Sequence, residues 1–140
     1  MKQSVVTGVV VTKGDLILLV KKPAGVGPYP GKYLTPGGGV NVGEDIDQSV
    51  LRELYEETGV KINNLKRQLF DAAVTNNWKG DPTHFIMLLY TGDYVSGNLQ
   101  PTAGDDDHLA EIAWFSPQQL SKLSLSPPLS KFLRFLGYQL

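Results

Sequence analysis

The segment from Asp45 to Gly59 constrains this chain more than any other. Asp45 reads as a helix N-cap with Gln48 three residues on, acids crowd the first turn where the helix dipole favours them, and Gly59 supplies a left-handed stop. The spacing predicts a helix over Ile46 to Thr58. At about 100° per residue, Ile46, Val50, Leu54, Thr58 and Leu51 form its apolar face. Glu53, Glu56 and Glu57 share an arc of about 100°, and Glu57 falls inside the stripe that should face a core. A surface helix ordinarily places its acids opposite that stripe.

Charge is sorted along the chain in the same way. Residues 44 to 57 hold six acids and one base, a local charge of −5, whereas the remainder sums to +4 behind a net charge of −1. A solvated acidic edge, with Arg52 and Glu56 paired at i, i+4 for about 0.3–0.5 kcal/mol, is the ordinary explanation of such a helix. It does not account for like charges turned toward a core. Carboxylates held close ionise together only when a cation intervenes, and hard divalent ions such as Mg²⁺ or Mn²⁺ take oxygen ligands of this kind. Just upstream, Gly37-Gly38-Gly39 removes every Cβ, so the backbone can approach a ligand or present a carbonyl to a metal.

The flanking sequence supplies a scaffold. Ser4 to Thr12 and Leu16 to Val20 read as a strand hairpin around Lys13-Gly14-Asp15, followed by a loop from Pro23 to Gly31 and a short segment, Tyr33 to Thr35. Gln68 to Val74 and His84 to Tyr90 read as strands, Gly92 to His108 as irregular chain, and Ile112 to Phe115 as a last strand. Ser116 with Pro117 opens one helix. Pro127 to Leu136 forms another, with Leu129, Phe132, Leu133 and Leu136 on one side. Strands and helices mix without regular alternation, which points to an α+β or layered α/β/α domain spanning residues 1–140. Thirteen basic and fourteen acidic side chains argue against a generic nucleic-acid surface. The absence of cysteine removes disulfides, thiolate zinc sites and thiol nucleophiles, and fits the reducing cytoplasm. No apolar run approaches the roughly 18 residues of a membrane span.

From Gly38 to Val60 the sequence is GGVNVGEDIDQSVLRELYEETGV. It resembles the Nudix box of the MutT-like hydrolases at every fixed position: Gly38, Glu44, then Arg52-Glu53-Leu54-Tyr55-Glu56-Glu57-Thr58-Gly59-Val60. The opening hairpin, the Pro36-Gly37-Gly38 entry and the Glu111-Ile112-Ala113-Trp114-Phe115 ending are similar to the family as well. The resemblance implies an α/β/α sandwich with a mixed central sheet. It also implies hydrolysis of a nucleoside diphosphate linked to another group, with Mg²⁺ or Mn²⁺ neutralising the phosphoryl oxygens. Carried over by position, it makes Glu53, Glu56 and Glu57 metal carboxylates and the Gly37 carbonyl a further ligand. Gly38 and Glu44 become supporting groups, and Arg52 orients a glutamate. The general base is Glu53 or Glu56 in some relatives and a later acid in others, so Glu111 stands as a fourth ligand or base, or as a surface residue.

Substrate contacts are expected outside the box. Lys22 and Lys32, with Lys21, could meet phosphates or simply solubilise the surface. Tyr33 and Trp78 could stack a base or pack. Asp105, Asp106 and Asp107 read as a solvated loop, His84 as structural, and Trp114 and Phe115 as core. The chain lacks the proline and tyrosine markers of relatives acting on ADP-ribose and dinucleoside polyphosphates, and the NADH and coenzyme A signatures. That leaves a nucleoside triphosphate pyrophosphohydrolase as the leading reading, with ADP-ribose, nucleotide sugars or dinucleoside polyphosphates as alternatives. A small-molecule nucleotide is the expected partner, with neither a membrane nor a stable nucleic-acid complex, for a monomer or homodimer. A nucleotide-sensing domain is less economical because the box is intact, and an isopentenyl diphosphate isomerase would need a cysteine.

Overall fold

The computed structural model describes residues 1–23, 27–75, 82–100 and 109–140. Its elements, in chain order, are β1 (Lys2–Lys13), β2 (Leu16–Lys21), β3 (Tyr33–Leu34), α1 (Ile46–Thr58), β4 (Lys61–Thr75), β5 (Thr83–Ser96), β6 (Glu111–Phe115), a 3₁₀ helix (Pro117–Lys122) and α2 (Pro127–Phe135). Six strands among the described residues form one mixed sheet in the order β3-β2-β1-β5-β4, with β6 pairing β2. The β1–β5 ladder is parallel and the others are antiparallel.

Each face of the sheet carries its own core, because strand side chains alternate. On one face Val50 and Leu54 of α1 meet Val9, Val11, Leu18 and Tyr90. On the other Leu129, Phe132 and Leu133 of α2 meet Val10, Ile17, Leu19 and Phe115. This is the layered arrangement with a mixed central sheet that the resemblance implies. No helix among the described residues is long and apolar enough to cross a membrane.

The carboxylate helix has the expected bounds and caps. The Asp45 side chain accepts from the Gln48 N–H, and Gly59 adopts φ 78° while its N–H bonds the Tyr55 carbonyl. Two strands run longer than their patterns suggest. The early part of β4 is interrupted by register shifts and by Asn64 at φ 53°, which hides its alternation. In β5, the chain from Gly92, which reads as irregular, continues the ladder to Ser96. A Cβ on Gly92 would lie 2.6 Å from Ile62 Cδ1, so glycine here makes room for a neighbour instead of bending the chain. The segment after Ser116 is a 3₁₀ helix, and α2 stops at Phe135 with Leu136 as its cap. Trp78, the Asn76–Asn77 marker positions and Asp105 to Asp107 lie outside the described residues.

Candidate metal and nucleotide site

The first turns of α1 are tied to the sheet at a fixed height. The Tyr90 hydroxyl donates to Asp47 Oδ1 at 2.8 Å, and Arg67 donates to the same oxygen. This anchor and the packing of Val50 and Leu54 set the rotation of α1, which turns Glu53 and Glu57 toward the glycine segment. Their targets are consecutive residues: the Gly37 N–H donates to Glu57 Oε1 at 2.7 Å, and a Cβ on Gly38 would lie 2.8 Å from the Glu53 carboxylate. Glu57 is only 4% exposed, so its place within the apolar stripe is real.

The glycine segment is held from the opposite side by β1. Val9 N–H donates to the Pro36 carbonyl at 3.0 Å and Thr7 N–H to the Gly38 carbonyl at 2.8 Å. Gly37, between them, has φ 154°, and a Cβ there would stand 2.0 Å from the Thr7 carbonyl oxygen. Only glycine fits. Backbone alternation turns the peptide edge of Gly37 away from β1 and toward α1.

Arg52 organises the acids. Its Nε and Nη2 reach the two Glu44 oxygens at 2.7 and 3.0 Å, Nη1 reaches Glu56 Oε2 at 3.2 Å, and Nη2 also lies 3.2 Å from Glu53 Oε1. One cation is thus shared among three carboxylates. Burial pushes the Glu53 carboxyl above its usual range, against the opposing pull of Arg52. Glu44 moves the other way, to about 2, chiefly through hydrogen bonds from Arg52 and then from the Asn41 N–H. Since its folded value lies below the ordinary 4.5, the stability it contributes is full above that pH and is lost as pH falls toward 2. Glu44→Gln should therefore flatten the acid limb of stability between about pH 4.5 and 2, as read by urea titration at several pH values. An unchanged acid limb would remove Glu44 from the linkage.

Glu53 and Glu57 meet consecutive residues of the glycine segment, and carboxylate and peptide oxygens are the hard donors that suit Mg²⁺ or Mn²⁺. Among the described residues no three acids stand at ligating spacing.

The other expected site residues are distributed more widely. Glu111 is not brought to this group. It lies on β6 with the parity of Ala113 and Phe115, which pack on the α2 side, and its Oε2 accepts from the Tyr33 hydroxyl at 2.5 Å. Tyr33 is buried against Phe115, with ring centroids 5.2 Å apart at 78°, so its ring is packed and is not a free platform for a base. The bond to Glu111, then burial, raises its phenol to about 12. Lys32 donates to Ser124 Oγ at 2.9 Å, toward α2. Lys22 is 9% exposed, which a lysine kept for solubility would not be. His84 Nδ1 pairs with Gln3 Nε2 at 3.1 Å, a structural contact. Phe115 is buried, and Trp114 packs on the α1-side core.

A recess of about 240 Å³ opens on the far side of the glycine segment, with Lys22, Tyr29, Phe85 and Met87 among its walls and Gly37 to Gly39 along one edge. Tyr29, Phe85 and Met87 had no signal in the sequence. They come from a loop and one face of β5, and only the fold assembles them.

The NUDIX domain family model matches residues 1–136. An NAD-capped RNA hydrolase of Pseudomonas aeruginosa is 35% identical over 125 residues, which are 89% of this chain and 40% of that protein. The chain therefore spans less than half the length of that relative. An ADP-ribose pyrophosphatase of Methanocaldococcus jannaschii is 35% identical over 82% of this chain and 63% of its own length. A nucleoside triphosphatase of Escherichia fergusonii is 28% identical, covering 98% of this chain and 99% of the relative. Among solved structures, a MutT NUDIX hydrolase of Burkholderia pseudomallei superposes with a TM-score of 0.81 at 22% identity, over 97% of this chain and 99% of that one.

Proposed function

Since the chain belongs to the NUDIX family, we propose that it hydrolyses nucleotide-linked diphosphates with a divalent cation, and that its substrate is a nucleoside triphosphate released as the monophosphate and pyrophosphate. The observation that carries this reading is the meeting of Glu53 and Glu57 with consecutive glycines, 38 and 37, at the edge of a mostly apolar recess. An anionic diphosphate and an aromatic base need those two environments side by side. The similarity to a nucleoside triphosphatase over 98% of this chain supports the triphosphate.

In this reading Glu53, Glu56, Glu57 and the Gly37 carbonyl hold Mg²⁺ or Mn²⁺. When bound, the ion would supply charge neutralisation at the phosphoryl oxygens. Arg52, fixed by Glu44, keeps Glu53 and Glu56 oriented. Water attacks phosphorus, the P–O bond to pyrophosphate breaks, and the water proton passes to Glu53 or Glu56. Lys22 meets the phosphates at the recess, and Tyr29 with Phe85 flanks the base. Incubating the protein and Mg²⁺ with nucleoside triphosphates, ADP-ribose, NAD and a dinucleoside polyphosphate, with products separated by anion exchange, tests the reading. Monophosphate and pyrophosphate from a triphosphate are expected. Preferential turnover of ADP-ribose or NAD would reassign the substrate, and no turnover of any would overturn the hydrolase.

A further inference from the structure

We propose that Glu111 serves the site through Tyr33, as a clamp on the segment leading to the glycines, and does not bind the metal or take the water's proton. This rests on the proposed function only for its kinetic readout. Four contacts converge on Tyr33. Its hydroxyl donates to Glu111 Oε2 at 2.5 Å, its N–H to the Ser124 carbonyl at 2.8 Å, and its carbonyl accepts from Ser126 N–H at 3.0 Å. Lys21 Nζ lies 5.3 Å from the centre of its ring. Lys21 is also the β2 residue directly opposite both Tyr33 and Glu111, so the three side chains form one row across β3, β2 and β6. The row is built on the α2 side of the sheet, where Tyr33 and Phe115 share a core.

The clamp acts at short range along the chain. Leu34 and Thr35, immediately after Tyr33, line the recess, and Pro36 and Gly37 follow. Lys22, just past the end of β2 at Lys21, lines it from the other side. A hydroxyl bonded to a carboxylate is a charge-assisted contact of the stronger kind, and it lies where Tyr33 is almost wholly buried. Releasing it loosens the recess wall while leaving the α1 carboxylates on their own anchors, Arg52 and the Gly37 N–H. The cost should fall on substrate binding and spare the metal.

Glu111→Gln, Glu111→Ala, Tyr33→Phe and the double variant Tyr33→Phe with Glu111→Ala separate the possibilities. Mn²⁺ affinity is read from the free-ion resonance signal, and KM and kcat from nucleoside triphosphate hydrolysis. Glutamine still accepts from a phenol but without the charge, so Glu111→Gln should raise KM less than Glu111→Ala does and leave Mn²⁺ affinity and kcat near the parent. Glu111→Ala and Tyr33→Phe should each raise KM by about three- to ten-fold, with kcat nearly constant, Mn²⁺ affinity unchanged and the double variant no worse than either single. Weakened Mn²⁺ binding in Glu111→Ala, or kcat loss in Glu111→Gln comparable to that of Glu57→Gln, would overturn the clamp and restore Glu111 as ligand or base. Tyr33→Phe with parent KM beside an impaired Glu111→Ala would overturn it too. If the parent binds Mn²⁺ but hydrolyses no nucleotide, the functional reading fails on that result, and Mn²⁺ affinity of Glu111→Ala still decides against or for the clamp.

Discussion

Glu57→Gln should lower kcat by about 100-fold or more while changing unfolding free energy by less than about 1 kcal/mol. The two halves of that expectation come from one contact. Glu57 Oε1 accepts the Gly37 N–H at 2.7 Å, and a glutamine oxygen accepts the same bond with nearly the same shape. What glutamine removes is the charge, and the charge is what a hard cation needs. Glu57 is also 4% exposed, so a carboxylate there is costly to a protein that has no use for it. Steady-state hydrolysis and urea denaturation on the same preparation check both halves. Full turnover at saturating Mg²⁺ would remove Glu57 from the metal site. A large loss of stability would make it a structural residue.

Gly37→Ala should be strongly disruptive, because among the described glycines a Cβ at Gly37 would make the closest approach to a neighbour. The added Cβ would stand 2.0 Å from the Thr7 carbonyl oxygen and 2.8 Å from Gly8 Cα, at a φ of 154°. Both neighbours are backbone in β1, so no side-chain rotation relieves them. We expect a loss of about 3 kcal/mol of stability, together with loss of hydrolysis in the fraction that remains folded. Hydrolysis fails there because the Gly37 peptide can no longer meet Glu57. Gly39→Ala is the matched control, since a Cβ there meets nothing within 4 Å. It should leave stability and turnover close to the parent. Thermal unfolding and initial rates for the pair settle whether close approach, and not flexibility of the run as a whole, is what the glycines provide. Equal behaviour of the two variants would contradict it.

The helix, its caps and the burial of Glu57 within its apolar stripe were legible in the sequence because they are local. Capping, periodicity and the αL stop all act within a few residues, and Ile46–Thr58 carries every one. The family and the layered fold followed from the same segment. Strand lengths were harder to read. β4 carries bulges that blur its alternation, and in β5 a glycine that looks like punctuation is a packing accommodation for Ile62. Long-range juxtaposition was hardest. Nothing near Glu111 in the chain announces Tyr33, 78 residues away, and sequence reasoning placed the two in different roles, ligand and base platform. Lys22 shows the same limit: the sequence left it between a phosphate contact and a solubilising charge, and its 9% exposure at the recess comes only from the fold.

Arg52 offsets part of the acidity of this segment. It spreads one positive charge over Glu44, Glu53 and Glu56, while Glu57 accepts from the Gly37 N–H. The basic remainder of the chain, +4 outside residues 44 to 57, supplies the field for an anionic ligand once a cation offsets the patch.

The most direct test is metal removal and return. Nucleoside triphosphate hydrolysis is followed after treatment with EDTA and dialysis into metal-free buffer, and again after addition of Mg²⁺ or Mn²⁺. Activity should vanish on removal and return in full with either ion, while Glu57→Gln stays inactive throughout. Hydrolysis that persists in metal-free buffer at the untreated rate would contradict a divalent-metal mechanism on these carboxylates.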